Sequence, residues 1–235
     1  MDLKRALVSE FLGAAFLLIA VVASGILAHR IDMGNIALSV LCVSFSAAAT
    51  LSALIFALGH ISAHFNPVVT LALAIRREFE WKKVLPYILA QISGACVGVI
   101  LSNLMFEMPA VCISETARTG AGQWLGEFIA TFGLLGIILG VGRGNPNAGP
   151  IAVPFYVAGA IFFTSSTCFA NPAVSISRML TTSLCGIAPS GVLPFIAFEI
   201  LGMVAALVVF GWLFKKPDQI DQLESLREKE LVGQR

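Results

Sequence analysis

Long segments without a charged residue recur along the chain and are separated by short loops that carry the charges. Asp, Glu, Lys and Arg are missing from residues 36–75, 84–106, 128–142, 144–177 and 200–214. Because roughly 20 predominantly apolar residues cross a bilayer as one helix, segments of this length predict transmembrane helices. We predict six spans, over residues 6–28, 38–58, 84–105, 123–142, 151–169 and 193–214.

The composition supports a membrane protein of the all-α class. Hydrophobic residues make up 57% of the 235 positions and charged residues only 12%, whereas soluble domains carry about 25% charged residues. A net charge of +1 gives no electrostatic footprint for nucleic acid. The five cysteines show no metal-ligand spacing, so we expect free thiols and predict neither a metal nor a cofactor.

The distribution of Lys and Arg predicts the orientation in the membrane. If the N-terminus lies inside, the inner side carries most of these residues, which are Lys4, Arg5, Arg76, Arg77, Lys82, Lys83, Arg143, Lys215 and Lys216. The outer side carries Arg30 and Arg118, with Arg178 in a separate segment. Because positive residues concentrate in cytoplasmic loops, both termini and the polar tail over residues 215–235 are predicted to be cytoplasmic.

Two Asn-Pro steps follow hydrophobic spans, and each opens an apolar run that is too short to cross the membrane. They lie in the three-residue motifs Asn66-Pro67-Val68 and Asn171-Pro172-Ala173. Asn is a good N-cap and Pro suits the first helical turn. We therefore predict two re-entrant half-helices in addition to the six spans.

Three sequence matches between the two halves of the chain indicate an internal repeat. The segments EFLGAAF from Glu10, HFNPV from His64 and PYILAQISG from Pro86 resemble EFIATF from Glu127, FANPA from Phe169 and PFIAFEILG from Pro194. Each half, about 1–105 and about 123–214, has three spans. Since three is odd, the second half enters the membrane inverted, so both Asn-Pro motifs meet near the midplane.

The paired motifs favour a pore over an enzyme or a pump. If each Asn side-chain oxygen caps its helix, the NH₂ groups of Asn66 and Asn171 are left as donors facing one lumen. Two helix N-termini also place about half a positive charge each at the centre, which repels cations and protons. We predict a passive conduit for small neutral solutes that excludes ions.

Two other functional classes are weaker alternatives. A proton-coupled secondary transporter needs an ionisable residue near the midplane, and none of Asn66, Val68, Asn171 and Ala173 titrates. A membrane enzyme needs a constellation of catalytic or metal-binding side chains, and none converges in the predicted spans.

Residues 59–70 (GHISAHFNPVVT), 169–174 (FANPAV) and 90–95 (AQISGA) are similar to signature segments of the aquaporin, or major intrinsic protein, family. The resemblance implies a fold of six spans and two half-helices in the lipid bilayer, usually a homotetramer with one pore per subunit. It also implies that Glu10 and Glu127 accept hydrogen bonds from the re-entrant loops. Glu199 stands where the first half has Gln91, and we expect it to form an interhelical hydrogen bond.

Departures from the family pattern bear on the solute. Val174 stands where the family usually has an arginine, and Arg178 lies one helical turn further on, nearer the external mouth. We count Arg178 among the candidate filter residues, with an arginine in solvent or lipid headgroups as the alternative. Spacing matches the other filter positions to Ala47, Gly159 and Cys168, which with Val174 predict a wide, apolar constriction. The NPAVSISR segment resembles bacterial members linked to arsenic resistance, which implies a bacterial inner membrane and arsenite as a candidate solute.

Two histidines and one cysteine complete the candidate residues. His60 and His64 flank the first loop, where we expect structural hydrogen bonds, with a cytoplasmic pH gate at His60 as the alternative. Cys168 lies three residues before Asn171, and we expect mercurials to block the pore through its thiol.

Overall fold

The computed structural model describes residues 2–215, which form long helices and two short ones. The α-helices are α1 (Leu3–Ile31), α2 (Ile36–Leu58), α3 (Pro67–Ile75), α4 (Trp81–Met105), α5 (Ala121–Gly144), α6 (Gly149–Phe163), α7 (Pro172–Ser177) and α8 (Pro189–Leu213). Single 3₁₀ turns precede α6 and follow α7. Beyond Lys215, the predicted polar tail lies outside the described residues.

Within residues 2–215, six helical segments are long and apolar enough to cross a bilayer: α1, α2, α4, α5, α8, and α6 together with the 3₁₀ turn before it (Pro146–Phe163). This confirms the predicted fold class and makes the chain an integral multi-pass membrane protein. The fifth span is the one whose predicted end was wrong, because α6 stops at Phe163 and not at residue 169. Thr164 turns the chain there. Its hydroxyl donates to the Ala160 carbonyl at 2.7 Å and accepts the Cys168 N–H at 3.0 Å.

Glycines at equivalent places in the two halves let the long helices cross closely. A Cβ atom at Gly94 on α4 would collide with the Phe11 carbonyl on α1, and one at Gly202 on α8 would lie 2.5 Å from the Phe128 carbonyl on α5. Small residues at such crossings allow backbone contact between helices in lipid. The pairs α1–α4 and α5–α8 therefore form the frame that holds the half-helices.

The two half-helices start as the motifs predict. Asn66 caps α3 by accepting the Val68 N–H at 3.0 Å, and Asn171 caps α7 by accepting the Ala173 N–H at 3.0 Å. The proline of each motif occupies the first turn, where its missing N–H costs nothing. Helices α3 and α7 contact each other at these ends, so the two Asn-Pro steps meet inside the protein.

Candidate functional site

A cavity of about 380 Å³ runs through the protein beside the two half-helices. One stripe of α2 lines it from Ile36 to Ile55, a length of about 29 Å at 1.5 Å per residue. This length is close to the hydrocarbon thickness of a bilayer, about 30 Å. Residues 63–66 and 167–171 of the two re-entrant loops complete the wall. The cavity thus has the extent of a transmembrane conduit.

The two asparagines at the centre of the cavity are bonded across the pseudo-two-fold axis. Asn66 Nδ2 donates to the Ala170 carbonyl at 2.8 Å, and Asn171 Nδ2 donates to the Phe65 carbonyl at 2.9 Å. These bonds differ from the prediction that both amide groups are free to face the lumen. Since an amide NH₂ has two hydrogens, one donor of each asparagine is used to join the loops and one remains.

The loop residues that supply these carbonyls adopt a left-handed backbone. Phe65 has φ +50° and Ala170 has φ +47°, a conformation that costs a non-glycine residue energy. In the first half Glu10 holds this loop. Its carboxylate accepts the His64 N–H at 2.8 Å and the Phe65 N–H at 2.7 Å, so a buried acid fixes the strained backbone.

Glu127 holds the second loop in the same manner. Its carboxylate accepts the Phe169 N–H at 2.9 Å and the Ala170 N–H at 2.7 Å, and the residue has no exposed surface. A buried carboxylate is tolerated in a membrane protein when backbone donors satisfy it. These contacts are the ones that the family resemblance implied for both glutamates.

Arg178 lies at the end of the cavity on the side opposite the N-terminus, packed against the second loop. We call this the outer end and the opposite end the inner end. It is only 4% exposed, its guanidinium stacks 3.6 Å above the centre of the Phe169 ring, and its Nε donates to the Cys185 carbonyl. The residue lines the cavity although it is one helical turn beyond Val174. A guanidinium is therefore present near the outer mouth despite the valine in the motif.

Arg118 is a second cation at this end and was not among the predicted site residues. From the loop between α4 and α5 it donates to the Gly186 carbonyl at 2.8 Å, the Ser166 carbonyl at 3.1 Å and the Leu184 carbonyl at 3.1 Å. Burial lowers the pKa of its guanidinium. The ordinary pKa of arginine is so far above neutral pH that the group stays charged. One sequence feature could have identified Arg118 as a site residue: few arginines lie on the predicted outer side.

Four of the five predicted filter positions, Arg178 among them, line the cavity, and the fifth does not. Ala47, Cys168 and Val174 lie on the wall, whereas Gly159 is exposed on the face of α6 that points away from the cavity. The cavity-lining residues of α6 recur every four positions and include Val157. Gly159 lies two positions further along the helix and is therefore rotated by about 200° from Val157. Sequence spacing alone does not fix the rotation of α6 about its axis, so the match to Gly159 was wrong.

Val68 and His60 also lie elsewhere than expected. Val68 is fully buried against Leu135, Met203 and Ala206, so its methyl groups stabilise the protein core and leave the cavity wall unchanged. His60 is exposed and makes no side-chain hydrogen bond within residues 2–215, which contradicts the structural role predicted for it.

His64 takes the structural position that was predicted for both histidines. Its Nδ1 lies 3.0 Å from Thr70 Oγ1, and its ring packs against Phe79 and Tyr87. The imidazole also borders the inner half of the cavity. His64 therefore connects the first loop to α3 and α4 next to the cavity.

The cavity wall contains two thiols, which modifies the expected mercurial block. Cys185 lines the cavity together with Cys168, and its thiol donates to the Val21 carbonyl at 3.3 Å. We expect Cys168→Ser to keep part of the block and Cys168→Ser/Cys185→Ser to lose it, as measured by water flux in proteoliposomes. Cys42, which is exposed, provides the control: Cys42→Ser should block like wild type. Block that persists in the double variant would contradict this prediction.

Comparisons with known proteins agree with this geometry. The family model described as Major intrinsic protein matches residues 1–167. Aquaglyceroporin AqpS of Rhizobium meliloti is 40% identical over 215 residues, which are 91% of this chain and 92% of that protein. The putative aquaporin NIP4-1 of Arabidopsis thaliana is 31% identical over 227 residues, 90% of this chain and 74% of that protein. The X-ray structure of the aquaglyceroporin from Plasmodium falciparum shares the fold, with a TM-score of 0.69 at 20% identity over 94% of this chain and 100% of that one.

Proposed function

The chain belongs to the major intrinsic protein family, and we propose that its central cavity is the path by which it conducts solutes. The protein is a passive membrane channel for small neutral solutes such as water and glycerol. The observation that carries the proposed path is the crossed asparagine pair in a cavity of bilayer length. Solute oxygens accept hydrogen bonds from the remaining amide N–H groups at the centre, and no catalytic step is assigned.

The charges at the wall support the exclusion of ions. Of the described residues that line the cavity, none is Asp or Glu, and the permanent charges are Arg118 and Arg178 at the outer end. A cation meets two guanidinium groups there, and any ion then loses its hydration along apolar walls, which is costly without a paired charge. Neutral hydroxyl compounds lose far less.

Arsenite is proposed as one such solute. Trivalent arsenite in its neutral form, As(OH)₃, is a compact triol like glycerol, and aliphatic residues of α2 and α6 provide most of the wall. The resemblance of the second motif to arsenic-resistance proteins supports this candidate. A wide constriction also supports it, because none of the predicted filter positions on the cavity wall is a bulky aromatic residue. These positions are Ala47, Cys168, Val174 and Arg178.

Flux measurements on purified protein in liposomes test the proposal. We expect water, glycerol, urea and arsenite to enter faster than in empty liposomes, and an imposed proton gradient to leave each rate unchanged. Gradient-driven accumulation would support a proton-coupled transporter instead. Uptake of glycerol without arsenite would remove arsenite from the substrate list and leave the channel intact.

We further propose a homotetramer in a bacterial inner membrane, with cytoplasmic termini. Supporting observations are the bacterial relative, the inner cluster of cations and large apolar residues on the outer faces of α2 and α6, such as Phe45 and Phe155, which are 73% and 74% exposed. Such surfaces face lipid or a neighbouring subunit. Cross-linking in membranes gives the subunit number, and protease protection of inverted vesicles gives the side of the C-terminus.

A further inference from the structure

The glutamates that hold the two loops have different neighbours on the long helices. In the first half, α4 supplies an amide: Gln91 Nε2 donates to Glu10 Oε2 at 2.7 Å and to Thr70 Oγ1 at 2.9 Å. Gln91 has no exposed surface. The carboxylate of Glu10 is thus completed by a donor that carries no charge.

In the second half an acid stands where that amide stands. Glu199 on α8 occupies the repeat position of Gln91, and Ser175, at the position of Thr70, donates to Glu199 Oε1 at 2.7 Å. The α5–α8 pair crosses at Gly202 and Phe128 as the α1–α4 pair crosses at Gly94 and Phe11. The inverted repeat therefore sets Glu199 beside Glu127, as Gln91 stands beside Glu10 at 2.7 Å. Glu199 and Glu127 are both fully buried, and no donor in residues 2–215 faces Glu199 Oε2.

Among the described residues, the charged groups near the two acids form no salt bridge with either of them. Of the elements that pack on α8, α3 and α7 contain no titratable residue. Helix α5 contributes Glu127 itself and, 16 residues further along, Arg143, which donates to the Phe214 carbonyl at the end of α8. Across the second loop lie the Cys168 thiol and the Arg178 guanidinium, with Arg118 beyond it. Arg178 donates to a backbone carbonyl and stacks on Phe169, so it forms no salt bridge with either acid.

We propose that Glu199 is a carboxylic acid that donates its proton to Glu127, and that it is a positioning residue for the second re-entrant loop. Two carboxylates that share one buried site hold a proton between them, because the second ionisation places like charges in contact. The unpartnered Glu199 Oε2 is then the oxygen that carries the hydrogen. In this form Glu199 reproduces what Gln91 does for Glu10.

The shared proton makes the outer loop sensitive to alkaline pH. Loss of the proton sets a second negative charge against Glu127, which holds the Phe169 and Ala170 N–H groups. The Ala170 carbonyl accepts the Asn66 amide, so displacement of Glu127 loosens the central asparagine pair. The inference rests on the proposed conduction path for this last step, whereas the protonation itself can be observed without any flux.

Infrared spectroscopy and pH-dependent flux test the inference with the full chain. At neutral pH the wild type should show a carboxylic acid C=O band that Glu199→Gln lacks, and in wild type this band should disappear as pH rises. Glycerol flux of wild type should fall about tenfold per pH unit above that transition, while Glu199→Gln keeps its neutral-pH flux. Absence of the band would overturn the protonation; a band that titrates while flux stays constant would overturn the positioning role.

The first half provides a matched control. Gln91→Glu creates the same acid pair beside Glu10, so it should add an alkaline-sensitive loss of flux and a new carboxylic acid band. Glu199→Leu, which removes the donor, should conduct poorly at every pH. The free energy of unfolding of wild type should fall as pH rises from about 4.3, since the unfolded chain releases a proton that the folded protein retains. Glu199→Gln should lack this slope, and a slope equal to that of wild type would count against the shared proton.

Discussion

Replacement of Glu10 by leucine is expected to abolish water and glycerol flux and to lower the yield of folded protein. The carboxylate of Glu10 accepts hydrogen bonds from Ser62 Oγ, the His64 and Phe65 N–H groups and Gln91 Nε2. Leucine accepts none of them. Each buried donor left without a partner costs about 1–3 kcal/mol, so four of them approach the stability of an entire domain, about 5–15 kcal/mol.

Stopped-flow swelling of proteoliposomes, with the amount of incorporated protein measured in parallel, tests the Glu10 prediction. Val8→Leu, on the exposed face of the same helix, is the matched control and should conduct like wild type. Glu10→Gln should be impaired as well, because its NH₂ group faces backbone donors. A Glu10→Leu protein that folds and conducts at the wild-type rate would show that the loop needs no anchor.

Ala47→Phe is expected to reduce glycerol flux by about tenfold or more, which corresponds to an added barrier of roughly 1.4 kcal/mol, and to reduce water flux less. Ala47 is 1% exposed and lies on the cavity wall at the middle of α2. A phenyl ring at this position occupies volume through which the solute passes. Because exclusion depends on solute size, the larger solute loses more.

Gly159→Phe is the control for this steric argument. Gly159 is exposed on the surface of α6, and an added Cβ there meets only Phe163, at 3.7 Å, so both fluxes should be retained. Glycerol, arsenite and water permeabilities are measured on the same preparations. Equal losses for all solutes in Ala47→Phe, or a glycerol-selective loss in Gly159→Phe, would contradict the assignment of the wall.

The fold was predictable because its signals are local. Charge-free segments gave the six spans, and the Asn-Pro steps gave the starts of α3 and α7, since hydropathy and helix capping depend on residues adjacent in sequence. The repeat with an odd number of spans required the inversion. The motif positions and the family resemblance directed attention to Glu10 and Glu127 before any contact was known.

The face that each helix turns to the cavity was not predictable in the same way. On α6 the outer side meets an apolar environment and the inner side lines an apolar cavity, so hydrophobic periodicity does not distinguish Gly159 from Val157. Helix rotation follows from packing against distant helices. The same holds for Arg118, whose hydrogen bonds reach residues 48 to 68 positions away.

By itself the sequence determined that this protein crosses the membrane six times, contains two opposed half-helices and resembles a channel. The tertiary structure decided which atoms meet: that each asparagine bonds to the opposite loop and that two arginines occupy the outer end. The reason is physical. Span and cap formation are short-range properties of the chain, whereas these contacts join residues from different halves or loops and exist only after the helices have packed.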